Sequence, residues 1–221
     1  MIDVVLFDLY ETLITESGLR PTRASSLAAS LGLDERAYRT EWKKRRPRIT
    51  RGQMSFAEAL TDISRTLSGR VDEGTVSGIC EQRLREKAAA YARIDGEIAA
   101  LVRTLSDRGI SLAVVSNGFS EDVTGWSQCS LAPHFQCTAF SCVEHLAKPD
   151  PEIYLRALQR LGAEPARAAY IGDGGDDELG GAERVGLQAG RAGWFVRSPS
   201  SSGTWPELTS SEDVLKFIAA G

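Results

Sequence analysis

Histidine and cysteine are scarce in this 221-residue sequence: there are two histidines and four cysteines, and no cysteines form a Cys-x-x-Cys pair. Cys129, Cys137 and Cys142 fall near His134 and His145, but without the tight paired spacing of a zinc site. Buried free thiols in a reducing compartment are expected instead. No run approaches 18 apolar residues, so no membrane-spanning helix is expected. The N-terminus, MIDVVLFD, has no basic stretch and reaches Asp8 too early for a secretory leader, so a cytoplasmic location is expected. A positive charge excess is missing as well. The formal net charge is -4, which argues against nucleic acid as a partner. Apolar residues (42%) and charged residues (25%) are present in ordinary proportion, enough for one sizeable core domain with room for an insert.

Val4–Phe7 is a short continuous apolar run, the pattern of a strand buried on both faces, and it ends at Asp8. A long stretch without strand patterning follows. Helices are expected over 20–31, over 34–46 with Pro47 as the stop, from Phe56 behind a Ser55/Glu58 capping box to Gly69, and over 72–91. From residue 97 the pattern alternates. A helix over 97–108 precedes the strand ISLAVVSNG, a helix over 121–131 precedes the strand CTAFS, and a helix over 150–161 precedes AAYIGDGG. A helix over 178–185, a short strand over 193–196, a loop over 198–206 and a helix over 211–219 complete the chain. Such alternation implies a parallel sheet covered on both faces, shared by the first strand, with the helical block as an insert.

In open parallel sheets ligands bind beyond the carboxyl ends of the strands. Three such ends carry polar residues here: Asp8 and Tyr10; Ser116 and Asn117; and Asp173 followed by GGDDE. Lys148, before a helix start, can be placed at the same edge. Carboxylates, a hydroxyl, an amide and an ammonium together suit a phosphate-plus-magnesium site, with hard oxygens for the ion and donors for the anion.

Taken in order, FDLYETL, VVSNG, the Lys148 segment KPDPEIY and YIGDGGDDELGGAERVG resemble the four motifs of the haloacid dehalogenase (HAD) superfamily of hydrolases. The resemblance implies a three-layer Rossmann-like α/β core at 1–16 and 93–221, with an all-helical (C1-type) cap inserted at 17–92. It implies Asp8 as nucleophile, forming a covalent aspartyl intermediate. Thr12 and Ser116 would hydrogen-bond the carboxylate or the transferred group, and Lys148 would hold nucleophile and substrate anion together. Asp8, the Tyr10 carbonyl and Asp173 would ligate Mg2+, supported by Asp177 or Glu178. Asn117 and Gly118 would line the substrate site.

Two positions depart from the family pattern. Phosphatases of the family usually place an acid/base aspartate where Tyr10 stands, and a phenol is a far weaker acid. Tyr10 resembles the metal-free dehalogenase branch, where halide needs no acid to leave, whereas Gly172-Asp173 and the acids after it resemble the metal-dependent branches. Glu11 replaces a usual glycine, altering the turn or narrowing the pocket. The expected activity is Mg2+-dependent hydrolysis of a small phosphate ester. Alternatives are L-2-haloacid dehalogenation, carbon–phosphorus cleavage through a cap lysine (Lys43 or Lys44), and a weakly active or inactive binding protein. The cap run WKKRRPRITRG offers Arg45, and Arg20 is an equal candidate, to meet a small anionic substrate. A monomer and a homodimer are both compatible with the sequence.

Overall fold

The computed structural model of the chain describes residues 2–19, 24–195 and 205–221. Strand β1 (Val4–Phe7) leads into four helices: α1 (Ala24–Ser30), α2 (Glu35–Thr50), α3 (Phe56–Ser68) and α4 (Glu73–Tyr91). Then come α5 (Gly96–Asp107), β2 (Ser111–Ser116), α6 (Ser120–Val123), β3 (Cys137–Phe140), α7 (Ser141–Glu144) and α8 (Pro151–Leu161). The chain continues through β4 (Ala168–Gly172), α9 (Glu178–Val185), β5 (Gln188–Ala192), β6 (Glu207–Leu208) and α10 (Ser211–Ala220). The strands form one parallel sheet in the order β3-β2-β1-β4-β5-β6. The fold is a Rossmann-like α/β core with an inserted helical cap.

β1 sits mid-sheet, and its side chains alternate between two hydrophobic cores. Val5 and Phe7 pack with Leu101, Leu105 and Ile218, whereas Val4 and Leu6 pack with Ile153, Tyr154 and Leu158. All four are fully or nearly fully buried, which is why the run is continuously apolar. The cap has its own core around Tyr38, Phe56, Leu60 and Ile63, and Phe119 from the loop after β2 inserts into it. The capping box expected at Ser55 and Glu58 forms.

Three local expectations are corrected. Pro47 does not stop α2, which runs on to Thr50. The proline lies in the last turn, where it forfeits the bond to the Lys43 carbonyl, and the burial of Ile49 beyond it in the cap core offsets that cost. A helix over 121–131 does not form. α6 ends at Val123 and short 3-10 turns follow, because the Asp122 carbonyl accepts from the Tyr10 and Tyr91 hydroxyls rather than from a helical N–H. The last central strand is Gln188–Ala192, not 193–196. Its small residues, QAGRA, hide the strand pattern, and a Cβ on Gly190 would stand 2.9 Å from Leu208. The loop expected over 198–206 lies largely outside the described residues, as does Arg20.

Candidate active site

Asp8 follows β1 directly. Its backbone N–H donates to the Ile171 carbonyl (2.9 Å), which fixes its side chain at the sheet edge between β2 and β4. There the carboxylate meets Lys148, whose Nζ lies 2.5 Å from Asp8 Oδ1. The same ammonium donates to Glu178 and to the Tyr170 hydroxyl (2.8 Å), so its three N–H groups have three acceptors. Tyr170 in turn donates to Glu178 Oε2 (2.7 Å). All four residues are buried.

The loops that carry these groups are pinned by side chains the sequence placed at the strand ends. Asn117 clamps the Lys148 peptide: its Oδ1 accepts from Lys148 N (2.8 Å) and its Nδ2 donates to Lys148 O (2.9 Å). Ser141 exchanges hydrogen bonds with both backbone groups of Gly118. Ser116 is buried at the end of β2. Thr12 is fully buried; its carbonyl accepts from Trp194 Nε1 (2.8 Å), while its hydroxyl has no partner among the described residues. A buried hydroxyl left open in this way has a hydrogen to donate to an acceptor that enters the site.

Carboxylate oxygens of Asp8, Asp173 and Glu178 all lie within 4.8 Å of one another. Glu178, not Asp177, joins the cluster. Asp176 and Asp177 both adopt left-handed backbone (φ +51° and +54°), which turns Glu178 inward and leaves Asp177 outside, paired with Arg184 at 3.0 Å. Gly172 makes room: a Cβ there would stand 2.2 Å from Glu178 Oε1. Three carboxylates against one ammonium leave two negative charges without compensation. Burial pushes the Asp8 carboxyl up to about 7, with Lys148 opposing and Glu178 adding to the rise. Burial raises Asp173 as well. Burial alone would lower Lys148, but Asp8 and Glu178 outweigh it and hold the ammonium charged. Hard oxygen donors with a deficit of two positive charges fit a divalent cation, held by Asp8, Asp173 and Glu178.

The Tyr10 hydroxyl donates to the Asp122 carbonyl (2.8 Å), and its ring lies 4.3 Å below the Lys87 ammonium. Burial, with the nearby Tyr91, Asp122 and Glu16 groups adding to it, raises the phenol far above its usual range. Of the cap candidates, Arg45 is engaged inside the cap by Glu41 (2.5 Å) and Asp62 (2.7 Å). Lys44 is paired with Glu41. The cap side chains that border the site are others. A cavity of about 300 Å³ is lined by Arg46, Thr50, Arg51, Asn117, Lys148 and Asp176. Arg46 reaches Asp176 (3.2 Å) and Arg51 reaches Asp150 (2.7 Å). Tyr170 went unassigned in the sequence, and Arg46 and Arg51 stood among the basic residues of the cap run without being singled out. The signal for Tyr170 was a tyrosine inside a strand buried on both faces, where a hydroxyl needs a partner.

Comparison with known proteins bears on what this geometry belongs to. A family model for haloacid dehalogenase-like hydrolases matches residues 2–186, and the chain belongs to that family: it is a hydrolase of the HAD superfamily. The chain is 31% identical over 155 residues to a phosphoserine phosphatase of Thermus thermophilus, covering 65% of this chain and 60% of that protein's length. Its fold superposes on a HAD phosphatase from Thermococcus onnurineus with a TM-score of 0.69, at 20% identity over 98% of both chains. It also superposes on a 2-haloacid dehalogenase from Pseudomonas syringae pv. Tomato with a TM-score of 0.68, at 21% identity over 100% of this chain and 99% of the other. No helix among the described residues is long and apolar enough to cross a membrane.

Proposed function

We propose that this hydrolase is a Mg2+-dependent phosphohydrolase that acts on small anionic phosphate compounds through an aspartyl-phosphate on Asp8. One observation carries the reading: three carboxylates converge on one ammonium with a charge deficit that a divalent cation fills. Mg2+ held by Asp8, Asp173 and Glu178, with the Tyr10 carbonyl as a further ligand, would neutralise charge on the transferring phosphoryl group.

The chain's own residues do the rest. One Asp8 oxygen attacks phosphorus, and the ester oxygen leaves. Lys148 keeps its charge and draws the phosphoryl oxygens against Asp8, while Asn117 holds the Lys148 peptide so that the ammonium cannot swing away. The open Thr12 hydroxyl, with Ser116, donates to the phosphoryl oxygens. Arg46 and Arg51 set the charge of the cavity that receives the remainder of the substrate. The phosphatase relative supports this reading.

A second reading, L-2-haloacid dehalogenation at Asp8, is favoured by the Tyr10 hydroxyl being bound to a carbonyl instead of standing free as an acid. The test runs phosphate release from a panel of phosphate compounds, with Mg2+ and with chelator, beside halide release from short 2-haloacids. Release that needs Mg2+ and vanishes in Asp8→Asn is the expected result. Halide release with no phosphate release overturns it in favour of the second reading.

A further inference from the structure

A general acid must keep a transferable proton free and within reach of the departing atom. Among the described residues around Asp8 the titratable side chains are committed elsewhere, Asp173 to the carboxylate cluster, and the open Thr12 hydroxyl is too weak an acid for the task. Tyr10, on Asp8's own strand end, donates its hydroxyl hydrogen to the Asp122 carbonyl (2.8 Å), and the Tyr91 hydroxyl donates to that same oxygen (2.7 Å). The Asp122 carboxylate is tied to Arg83 and Lys87 of the cap and to the Phe119 N–H (2.9 Å), and Lys87 also pairs with Glu16 (2.8 Å). Tyr10 is therefore tied to α6 of the core through its hydroxyl and to the cap through Lys87, whose ammonium lies over its ring. Lys148 gives its N–H groups to Asp8, Glu178 and Tyr170. Asp176, the carboxylate of the cavity wall, is held by Arg46 (3.2 Å) and Asn117 (3.3 Å). Residues 20–23 (RPTR) and 196–204 (VRSPSSSGT) contain no Asp, Glu, His, Cys or Tyr.

On the phosphohydrolase reading, we propose that the site takes phosphates whose leaving group departs without a proton, acyl phosphates above all, and turns over alkyl phosphates poorly. A departing carboxylate has a conjugate acid near ~4 and leaves as the anion. A departing alkoxide is about as basic as hydroxide, whose conjugate acid titrates near ~16, and it needs a proton that no side chain here supplies. In the first step an Asp8 oxygen bonds to phosphorus as the bond from phosphorus to the acyl oxygen breaks, and that electron pair leaves on the carboxylate product. In the second, water bonds to phosphorus as the bond to the Asp8 oxygen breaks. The electron pair returns to Asp8, and both water protons depart on dihydrogen phosphate. With no side chain to activate the water, the second step is the slower one and the phosphorylated protein accumulates.

The test is a leaving-group series on the full chain with Mg2+: acetyl phosphate, 4-nitrophenyl phosphate, phenyl phosphate and ethyl phosphate, each corrected by Asp8→Asn. The acid-quenched protein is weighed intact in parallel. The expected result is a kcat/KM that falls steadily with leaving-group basicity, by about a hundredfold or more from acetyl to ethyl phosphate. A mass gain from acetyl phosphate that Asp8→Asn lacks is also expected. A series that varies less than about tenfold, with the mass gain present, overturns the leaving-group assignment and leaves the phosphohydrolase reading standing. Neither phosphate nor mass gain from any member overturns that reading, and this inference with it. Tyr10→Asp is expected to raise ethyl phosphate turnover about a hundredfold relative to acetyl phosphate. An unchanged ratio in a variant that melts like the parent overturns the role given to Tyr10, and the parent series decides the matter if the variant does not fold.

Discussion

Replacing Asp8, the proposed nucleophile, is expected to make the metal-free fold more stable, and the size of the gain follows from the site's charges. The folded-state value for Asp8 is pushed up to about 7 from an ordinary value of 3.8. Between those two values the folded chain binds a proton that the unfolded chain has lost, so stability falls as pH rises through that window. At pH 8 the ionised Asp8 costs the fold about 4 kcal/mol, and at pH 5 about 2 kcal/mol. Asp8→Asn removes this cost, from which the attraction of Lys148 is already subtracted because it lowers the Asp8 value. Lys148 is not orphaned, because Glu178 and Tyr170 still accept from it. The gain is about 4 kcal/mol at pH 8, or about 8–16 °C in Tm for a chain of this length, shrinking to about 2 kcal/mol at pH 5. The assay is urea unfolding in chelator at pH 5, 6.5 and 8, followed by tryptophan fluorescence. A variant less stable than the parent at pH 8, or a difference that does not change with pH, would refute the reasoning.

Mg2+ is expected to raise the parent's Tm, by the equivalent of about 2.7 kcal/mol at a hundredfold excess over Kd, and to do so more at pH 8 than at pH 5, where protons compete for Asp8. Calorimetry with and without chelator reads this directly, and a larger shift at pH 5 would contradict it. Tyr170→Phe removes a hydroxyl that accepts from Lys148 and donates to Glu178, so a cost of about 2 kcal/mol is expected, together with a lower kcat at little-changed KM; a kcat equal to the parent's would remove Tyr170 from the site's support. Gly172→Ala places a Cβ 2.2 Å from Glu178 Oε1 and displaces that carboxylate, so the Mg2+-dependent rise in Tm should disappear from a variant that still unfolds cooperatively.

Strand ends were legible because a strand buried on both faces must be apolar throughout, so a carboxylate after Phe7 or Gly172 stands out against it. The helix at Phe56 was legible from its Ser55/Glu58 capping box and α2 from the helical spacing of Ala37, Tyr38 and Trp42, while Asp34 and Asp72 show their capping role in the structure. Choosing between Asp177 and Glu178 was not possible, since adjacent residues differ only by backbone rotation, and the left-handed conformation at two aspartates has no marker in composition. Arg46 and Arg45 posed the same difficulty. Neighbours on one helix point about 100° apart, and which of them faces the sheet edge depends on how the cap docks. β5 was missed because alanine and glycine leave room for Leu208 and Phe217 without looking hydrophobic themselves.

The turn after β1 shows how the family's departures are accommodated. Glu11 takes φ +54°, the region in which a glycine would be at ease. Its carboxylate accepts from the Thr15 hydroxyl (2.7 Å) and the Glu16 N–H (3.0 Å), so the side chain braces its own turn. Among the described residues, four non-glycine positions have positive φ: Glu11, His145, Asp176 and Asp177. They fall in the loops that carry Asp8, Lys148 and Glu178. Each costs about 1–2 kcal/mol against an ordinary backbone. These costs stand beside the electrostatic cost at Asp8, so backbone strain and unbalanced charge are concentrated in one place. A fold under no demand but stability would relax them by substituting Asp8 with an amide, or by placing glycine at 11, 176 and 177. That the chain keeps all of them where three loops meet is the pattern of a site whose charge a divalent cation would relieve.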